Sequence, residues 1–174
     1  IIFSFKVGLP ICPQKKQLEE LLSALVSDKL TIRFTNKNFY AVAKTGDIEK
    51  VLSLLAQGFD PNYTFEENDN ETPLHAASSN GHLLIVHLLI QAGANPNVLN
   101  KNISTPLMQA IEHKHNSVVK YLISVGASLD IRGDDGMTSL HIATKSGNIE
   151  AVHYMLEIGR TNVNLQVRLC LLII

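Results

Sequence analysis

The sequence predicts an all-α solenoid of about four helix-turn-helix repeats. Three recurrences carry that reading. Thr72-Pro73-Leu74-His75 returns as Thr105-Pro106-Leu107-Met108 and again as Thr138-Ser139-Leu140-His141, at a spacing of 33. Gly93, Gly126 and Gly159 keep the same spacing, and so do Ala94 and Ala127. Between these landmarks lie short apolar runs such as Leu83, Ile85, Val86, Leu88, Leu89 and Ile90. A fixed period of this size marks units that bury their apolar faces only against their neighbours.

Taken in order, residues 1–13 read as an irregular segment broken at Pro10 and Pro13. Residues 14–34 read as a capping helix and linker. From Gln14 to Asp28, Leu18, Leu21, Leu22, Leu25 and Val26 form one apolar stripe that would cover the outer face of the first repeat. Repeat one, 35–67, is degenerate. Phe39 stands where the leucine of the tetrapeptide belongs, and Gly46, Val51, Gly58 and Asn62 precede Gly81, Val86, Gly93 and Asn97 by 35. The two additional residues fit in the Tyr63 to Asn70 loop, acidic through Glu66, Glu67 and Asp69. Repeats two, three and four follow at 68–102, 103–135 and 136–166, the last with one extra residue between Gly159 and Asn164.

Within each repeat, threonine caps the first helix through its hydroxyl, and proline at the first helical position forfeits no hydrogen bond. The second helix, apolar nearly all round, is expected to lie between neighbours, and Gly93 ends it in a left-handed conformation. Lys114 stands where Gly81 and Gly147 sit, so a left-handed position carries a side chain there, at a cost of about 1 kcal/mol. After Gln166 the pattern calls for another turn and tetrapeptide. Residues 167–174 supply instead an apolar, non-repeat tail. Ile149, Val152, Met155, Leu156 and Ile158 on the last helix are therefore expected to stay partly open.

Composition narrows the function. Fifteen basic and 16 acidic residues give a net charge of −1, with no basic field for nucleic acid and no polybasic run for a membrane surface. No run is long enough for a signal peptide or a membrane span. Cys12 and Cys170 lie outside the repeats and form no CxxC pair, so neither a disulfide framework nor a zinc site is expected. The chain opens on Ile1 rather than Met, and a fragment of a longer protein is the expectation.

Nor is there a catalytic constellation. His75 and His141 are repeat positions, where an imidazole can tie the loops of adjacent repeats together. His113 and His115 lack neighbouring Cys or carboxylate ligands for a metal. Ser139 and His141 lack an orienting acid and a nucleophile turn. No phosphate loop or dinucleotide fingerprint occurs, so no enzyme, cofactor or metal site is expected within this chain. What remains is binding of a protein partner on the concave surface of loop tips and first helices. By the phase of the repeat that surface takes in Lys101, Asn102, Ser104, Glu112, His113, Asp134, Asp135, Met137, Lys145 and Ser146.

A period of 33, with Thr-Pro-Leu-His opening one helix and Gly-Ala closing the next, resembles the ankyrin repeat family over about Asn36 to Gln166. The phrases PLHAASSNGHLLIVHLLIQAGANPN, TPLMQAIEHKHNSVVKYLISVGA and LHIATKSGNIEAVHYMLEIGRTNVNLQ resemble more closely the start of the ankyrin domain of euchromatic histone-lysine N-methyltransferases. That resemblance implies a nuclear, chromatin-associated enzyme whose catalytic SET domain lies far downstream, and whose later repeats read methylated histone lysine through a tryptophan-rich cage. This chain has no Trp, and Tyr40, Tyr63, Tyr121 and Tyr154 are scattered, so methyl-lysine binding is not expected of it. The expectation is a non-catalytic protein-interaction segment of such an enzyme. The alternative is a free-standing ankyrin adaptor unrelated to chromatin, in the cytoplasm.

Overall fold

The computed structural model describes residues 36–64 and 68–158. The capping helix, loop residues 65–67 and everything after Ile158, including the one-residue expansion and the apolar tail, lie outside the described residues. Among the described residues are eight α-helices in four pairs: α1 (Asn36–Thr45) with α2 (Ile48–Ala56), α3 (Pro73–Ser79) with α4 (Leu83–Gln91), α5 (Pro106–Glu112) with α6 (Asn116–Ser124), and α7 (Ser139–Lys145) with α8 (Ile149–Ile158). The first helices α1, α3, α5 and α7 pack side by side in one layer, the second helices in another, and each pair closes across the layers.

Equivalent positions form columns through the stack. Phe39, Leu74, Leu107 and Leu140 hold one position of the first helix, each at most 1% exposed. Phe39 thus fills the place of the leucine, with its ring edge-on to Phe59 at 6.3 Å. Val42, Ala77, Ala110 and Ala143 hold another column, where short side chains let first helices approach. Leu54, Leu89, Leu122 and Met155 form a third, all fully buried. Burying each such large side chain stabilises the stack by about 1.5–3 kcal/mol.

One expectation about the second helices needs correction. Met155 is not open: it is fully buried in the core cluster, at the position held by Leu54, Leu89 and Leu122 in the other repeats. Ile149 and Leu156 are exposed, and Val152 and Ile158 are half-buried. In α4, Ile85, Val86 and Leu89 are buried, but Leu83, Leu88 and Ile90 are only partly covered and Leu84 is exposed. Neighbours stand on either side of α4 and solvent lies on its outer face.

The helix starts follow the sequence. Thr105 Oγ1 accepts the Met108 N–H at 3.2 Å, and Pro73 and Pro106 occupy the first helical turn. In α3 the box is reciprocal, His75 at the third helical position reaching back to the Thr72 backbone.

The turns between paired helices carry a ladder. Gly46, Gly81, Lys114 and Gly147 hold one left-handed position, with φ of 85°, 75°, 60° and 65°. The residue after it ties back to the preceding first helix. His82 Nε2 donates to Lys44 O at 2.9 Å, His115 Nε2 to Ser79 O at 3.0 Å and Asn148 Nδ2 to Ile111 O at 3.2 Å. Each histidine ring lies on the glycine of the preceding turn. A Cβ at Gly46 would stand 2.7 Å from His82 Cε1, and one at Gly81 would stand 2.5 Å from His115 Nδ1. At the turn held by Lys114 the tie from the next repeat is made by Asn148, whose side chain is smaller than the histidine ring that lies on Gly46 and Gly81.

A second ladder runs along the loops after the second helices. Asn62 Oδ1 accepts the Asn95 N–H at 2.7 Å, and Asn62 Nδ2 donates to Gly93 O at 3.0 Å. One repeat on, Asn97 Oδ1 accepts the Ser128 N–H at 2.7 Å. Side-chain amides at a repeat position thereby satisfy backbone groups of the next unit.

Candidate protein-binding groove

The first-helix layer and the loops before it enclose an open groove of about 420 Å³. Tyr40 and Lys44 enter it from α1, Glu71, Ser79 and Asn80 from the borders of α3, Asn100, Asn102 and Ser104 from the following loop, and Gln109, Glu112 and His113 from α5 and its end.

A single carboxylate organises its floor. Glu71 Oε2 accepts from Tyr40 Oη at 2.6 Å, and its Oε1 accepts from Asn100 Nδ2 at 3.3 Å and from Gln109 Nε2. One side chain thus joins three successive repeats. Burial, the hydrogen bond to Glu71 and that carboxylate's charge together push the Tyr40 hydroxyl well above its ordinary pKa of 10.0. The amide of Gln109 must face Glu71 with its nitrogen, since an oxygen there would oppose the carboxylate. Asn100, itself buried, also shapes the loop, its Oδ1 accepting the N–H groups of Asn102 at 3.0 Å and Ser104 at 2.9 Å.

His75, at the third position of α3, is fully buried. Its Nε2 is 3.0 Å from Ser104 O, which places the proton on Nε2 and leaves Nδ1 to accept the Thr72 N–H at 3.2 Å. The loop tie expected at this position is present. Burial lowers the His75 pKa, against smaller opposing effects of the Ser104 carbonyl and Glu71. The sign of the resulting pH dependence follows. The unfolded chain takes up a proton near the ordinary value of 6.5, while the folded ring resists it, so stability is full above that pH and falls on acidification. Desolvation acts in the same direction on His87, which is buried in α4 against the Tyr121 ring at 5.1 Å. Urea midpoints should therefore decrease from pH 7.5 to pH 5.5. A midpoint that is flat or rising over that range would contradict the neutral assignment.

Of the positions expected from the repeat phase, the groove brings together Asn102, Ser104, Glu112 and His113. Lys101 is exposed beside it, its backbone N–H donating to Asp69 O at 2.7 Å. Asp134, Asp135 and Met137 belong to the next loop, where Met137 N–H donates to Asp135 Oδ1 at 3.1 Å. Lys145 and Ser146 lie at the end of α7. None of these last five lines the groove. Sequence reasoning missed Tyr40, Glu71, Asn100 and Gln109. The readable signal was a polar side chain at a position that is apolar or small in the other repeats: Gln109 stands where Ala76 and Ile142 do.

The loop tip carries one strained residue. Asn70, Ile103 and Gly136 hold a single position with φ of 55°, 50° and 73°. Asparagine and glycine enter this region readily, whereas a β-branched residue does not. Ile103 is 39% exposed and adds nothing to the core. Ile103→Asn should raise the unfolding free energy by about 1 kcal/mol, read by urea denaturation, and a loss of stability would contradict the strain.

The ankyrin repeat family description, "Ankyrin repeats (3 copies)", matches residues 15–100, 38–132 and 78–167. The chain is an ankyrin-repeat protein. The histone-lysine N-methyltransferase EHMT1 of Homo sapiens is 46% identical over 89 residues, 51% of this chain and 7% of that protein, and its Mus musculus counterpart matches to the same extent. The ARF GTPase-activating protein GIT2 of Homo sapiens is 38% identical over 69 residues, 40% of this chain and 9% of that protein. The chain thus spans less than a tenth of the length of these relatives. Ankyrin stacks are protein-binding modules. Among the described residues no helix is long and apolar enough to cross a membrane, and no group of three or more His, Cys, Asp or Glu could hold a metal.

Proposed function

We propose that this ankyrin array is a non-catalytic, partner-recruiting segment of a chromatin-associated, nuclear histone-lysine methyltransferase, and that it binds its partner in the groove across α1, α3 and α5. The observation that carries the chromatin assignment is the 46% identity to EHMT1, at higher identity and over a longer stretch than the GIT2 match. The groove assignment rests on the Glu71 frame, which holds three repeats in one geometry at the base of an accessible surface. The outlying positions Lys101, Asp134, Asp135, Met137, Lys145 and Ser146 serve as its rim on the loop tips and on α7. The similarity to GIT2 supports a second reading, an adaptor outside chromatin.

Affinity purification with the tagged chain from nuclear and cytosolic fractions separates the two. Chromatin proteins should be retained from the nuclear fraction and lost with the triple variant Lys101→Glu, Asp134→Lys, Asp135→Lys. These surface changes should shift stability by no more than about 0.5 kcal/mol each. Retention of cytosolic proteins alone would favour the adaptor. Retention unchanged by the variant would move the interface off the rim.

A further inference from the structure

We propose that the seam between repeats two and three is an acid-releasable joint, held shut by the neutral rings of His75 and His87, and that its opening takes the groove apart. Three imidazoles cross this one seam. His75, fully buried in α3, ties through Nε2 to Ser104 O of repeat three at 3.0 Å. His115 of repeat three ties back to Ser79 O at 3.0 Å. His87, 7% exposed in α4, lies against the Tyr121 ring of α6 at 5.1 Å. The neighbouring seams are built otherwise. Between repeats one and two the same three places hold Tyr40, His82 and Leu52, and between repeats three and four they hold Met108, Asn148 and Lys120.

The closed seam does not accommodate a second proton on two of these rings. His75 Nδ1 accepts the Thr72 N–H at 3.2 Å, so a proton there sets donor against donor. Both ring nitrogens of His87 are sealed without a hydrogen-bond partner, and an imidazolium would bury a cation and two donors with no acceptor. His115 differs, because the Nε2–H that meets Ser79 O is present in either state of the ring. The surrounding charges do not compensate. Toward His87, α6 brings Tyr121 and Lys120, the lysine bound to Glu150 at 2.6 Å; α2 brings Glu49 and Lys50, both exposed, and α3 brings His75. Burial alone lowers the pKa of His87. Toward His75, α1 brings Tyr40 and Lys44, α5 brings Glu112 and α4 brings His87. Glu71 is the one charge acting on that ring, and burial outweighs it. The Glu71 carboxylate reaches Gln109 across the same seam, so parting the repeats breaks the groove floor. Release of a partner by this opening rests on the groove being the partner site.

The test is amide exchange of the whole ¹⁵N-labelled chain at pH 7.5 and pH 5.5, expressed as opening constants so that the pH dependence of the exchange step itself drops out. Opened rings titrate at the ordinary value of 6.5. An opening that frees one of them therefore grows up to about tenfold over this range, and one that frees both up to about a hundredfold. Amides of α3 to α6 should show the larger rise in the unaltered chain. The rise should fall to about tenfold in His87→Leu, which takes the side chain of the equivalent Leu52, and in His75→Gln, which keeps an acceptor for the Thr72 N–H. The double variant should show none. A full acid response in either variant would overturn the role of that histidine, and one confined to α1, α2 or α8 would overturn the joint. The two variants act independently, so if one does not fold the other still decides. Partner retention is then compared at the two pH values. Retention at pH 5.5 with the joint shown open would leave the joint standing and remove the groove as the partner site.

Discussion

Gly81→Ala should lower the unfolding free energy by about 2–4 kcal/mol and the Tm by about 5–12 °C. Two effects add. At φ of 75° an alanine sits in the left-handed region, at about 1 kcal/mol. Its Cβ would also meet the His115 ring at 2.5 Å, displacing an imidazole whose Nε2 satisfies the Ser79 carbonyl. The structure already holds the solution to this conflict one repeat on, where Lys114 coexists with Asn148. Gly81→Ala combined with His115→Asn should therefore cost less than the sum of the single changes by 1 kcal/mol or more, a coupling of the size seen for residues in contact, roughly 0.5–3 kcal/mol. Strict additivity would show that the ring and the glycine do not constrain each other.

Glu71→Leu should cost about 2–4 kcal/mol. The change deprives Asn100 Nδ2 and Gln109 Nε2 of their acceptor and takes one partner from the Tyr40 hydroxyl. Each loss alone would run to about 1–3 kcal/mol if fully buried, but the groove is open and water recovers part of it. Glu71→Gln keeps an acceptor oxygen and should cost roughly half as much. A purely steric role for Glu71 would not move the second readout. Ultraviolet titration should show Tyr40 ionising at lower pH in Glu71→Leu, because the hydrogen bond and charge are gone while burial remains. Unchanged Tyr40 ionisation would remove Glu71 from the centre of the network.

The columns of the fold were legible because a repeat makes each apolar position visible several times. Phe39 was placed with Leu74, Leu107 and Leu140 by spacing alone, and all four are buried. Left-handed geometry at Lys114 was legible for the same reason. Met155 was misjudged because an apolar second helix has two buried directions, toward its own pair and toward the next repeat, and a sequence pattern does not separate them. The groove was legible only at its edge. Asn102, Ser104, Glu112 and His113 fall at positions that face the concave side in any repeat of this kind. The floor was hidden because its bonds cross between repeats: Glu71 lies 31 residues from Tyr40, 29 from Asn100 and 38 from Gln109. The partnership of His115 with Gly81 was hidden likewise, because it depends on one repeat's turn lying over another's.

The central claim, that the partner lies against the first-helix groove and not against the outer helices, is tested most directly by site-specific photo-crosslinking. One chain carries the crosslinker at Asn80, which lines the groove, and a second at Ser117, exposed on α6 of the opposite layer. Both are checked for native helicity and irradiated in nuclear extract. Adducts from Asn80 that are absent from Ser117, and that are lost when Glu112→Lys is added, are the result expected. Adducts from Ser117 with none from Asn80 would place the partner on the outer helices and contradict the account.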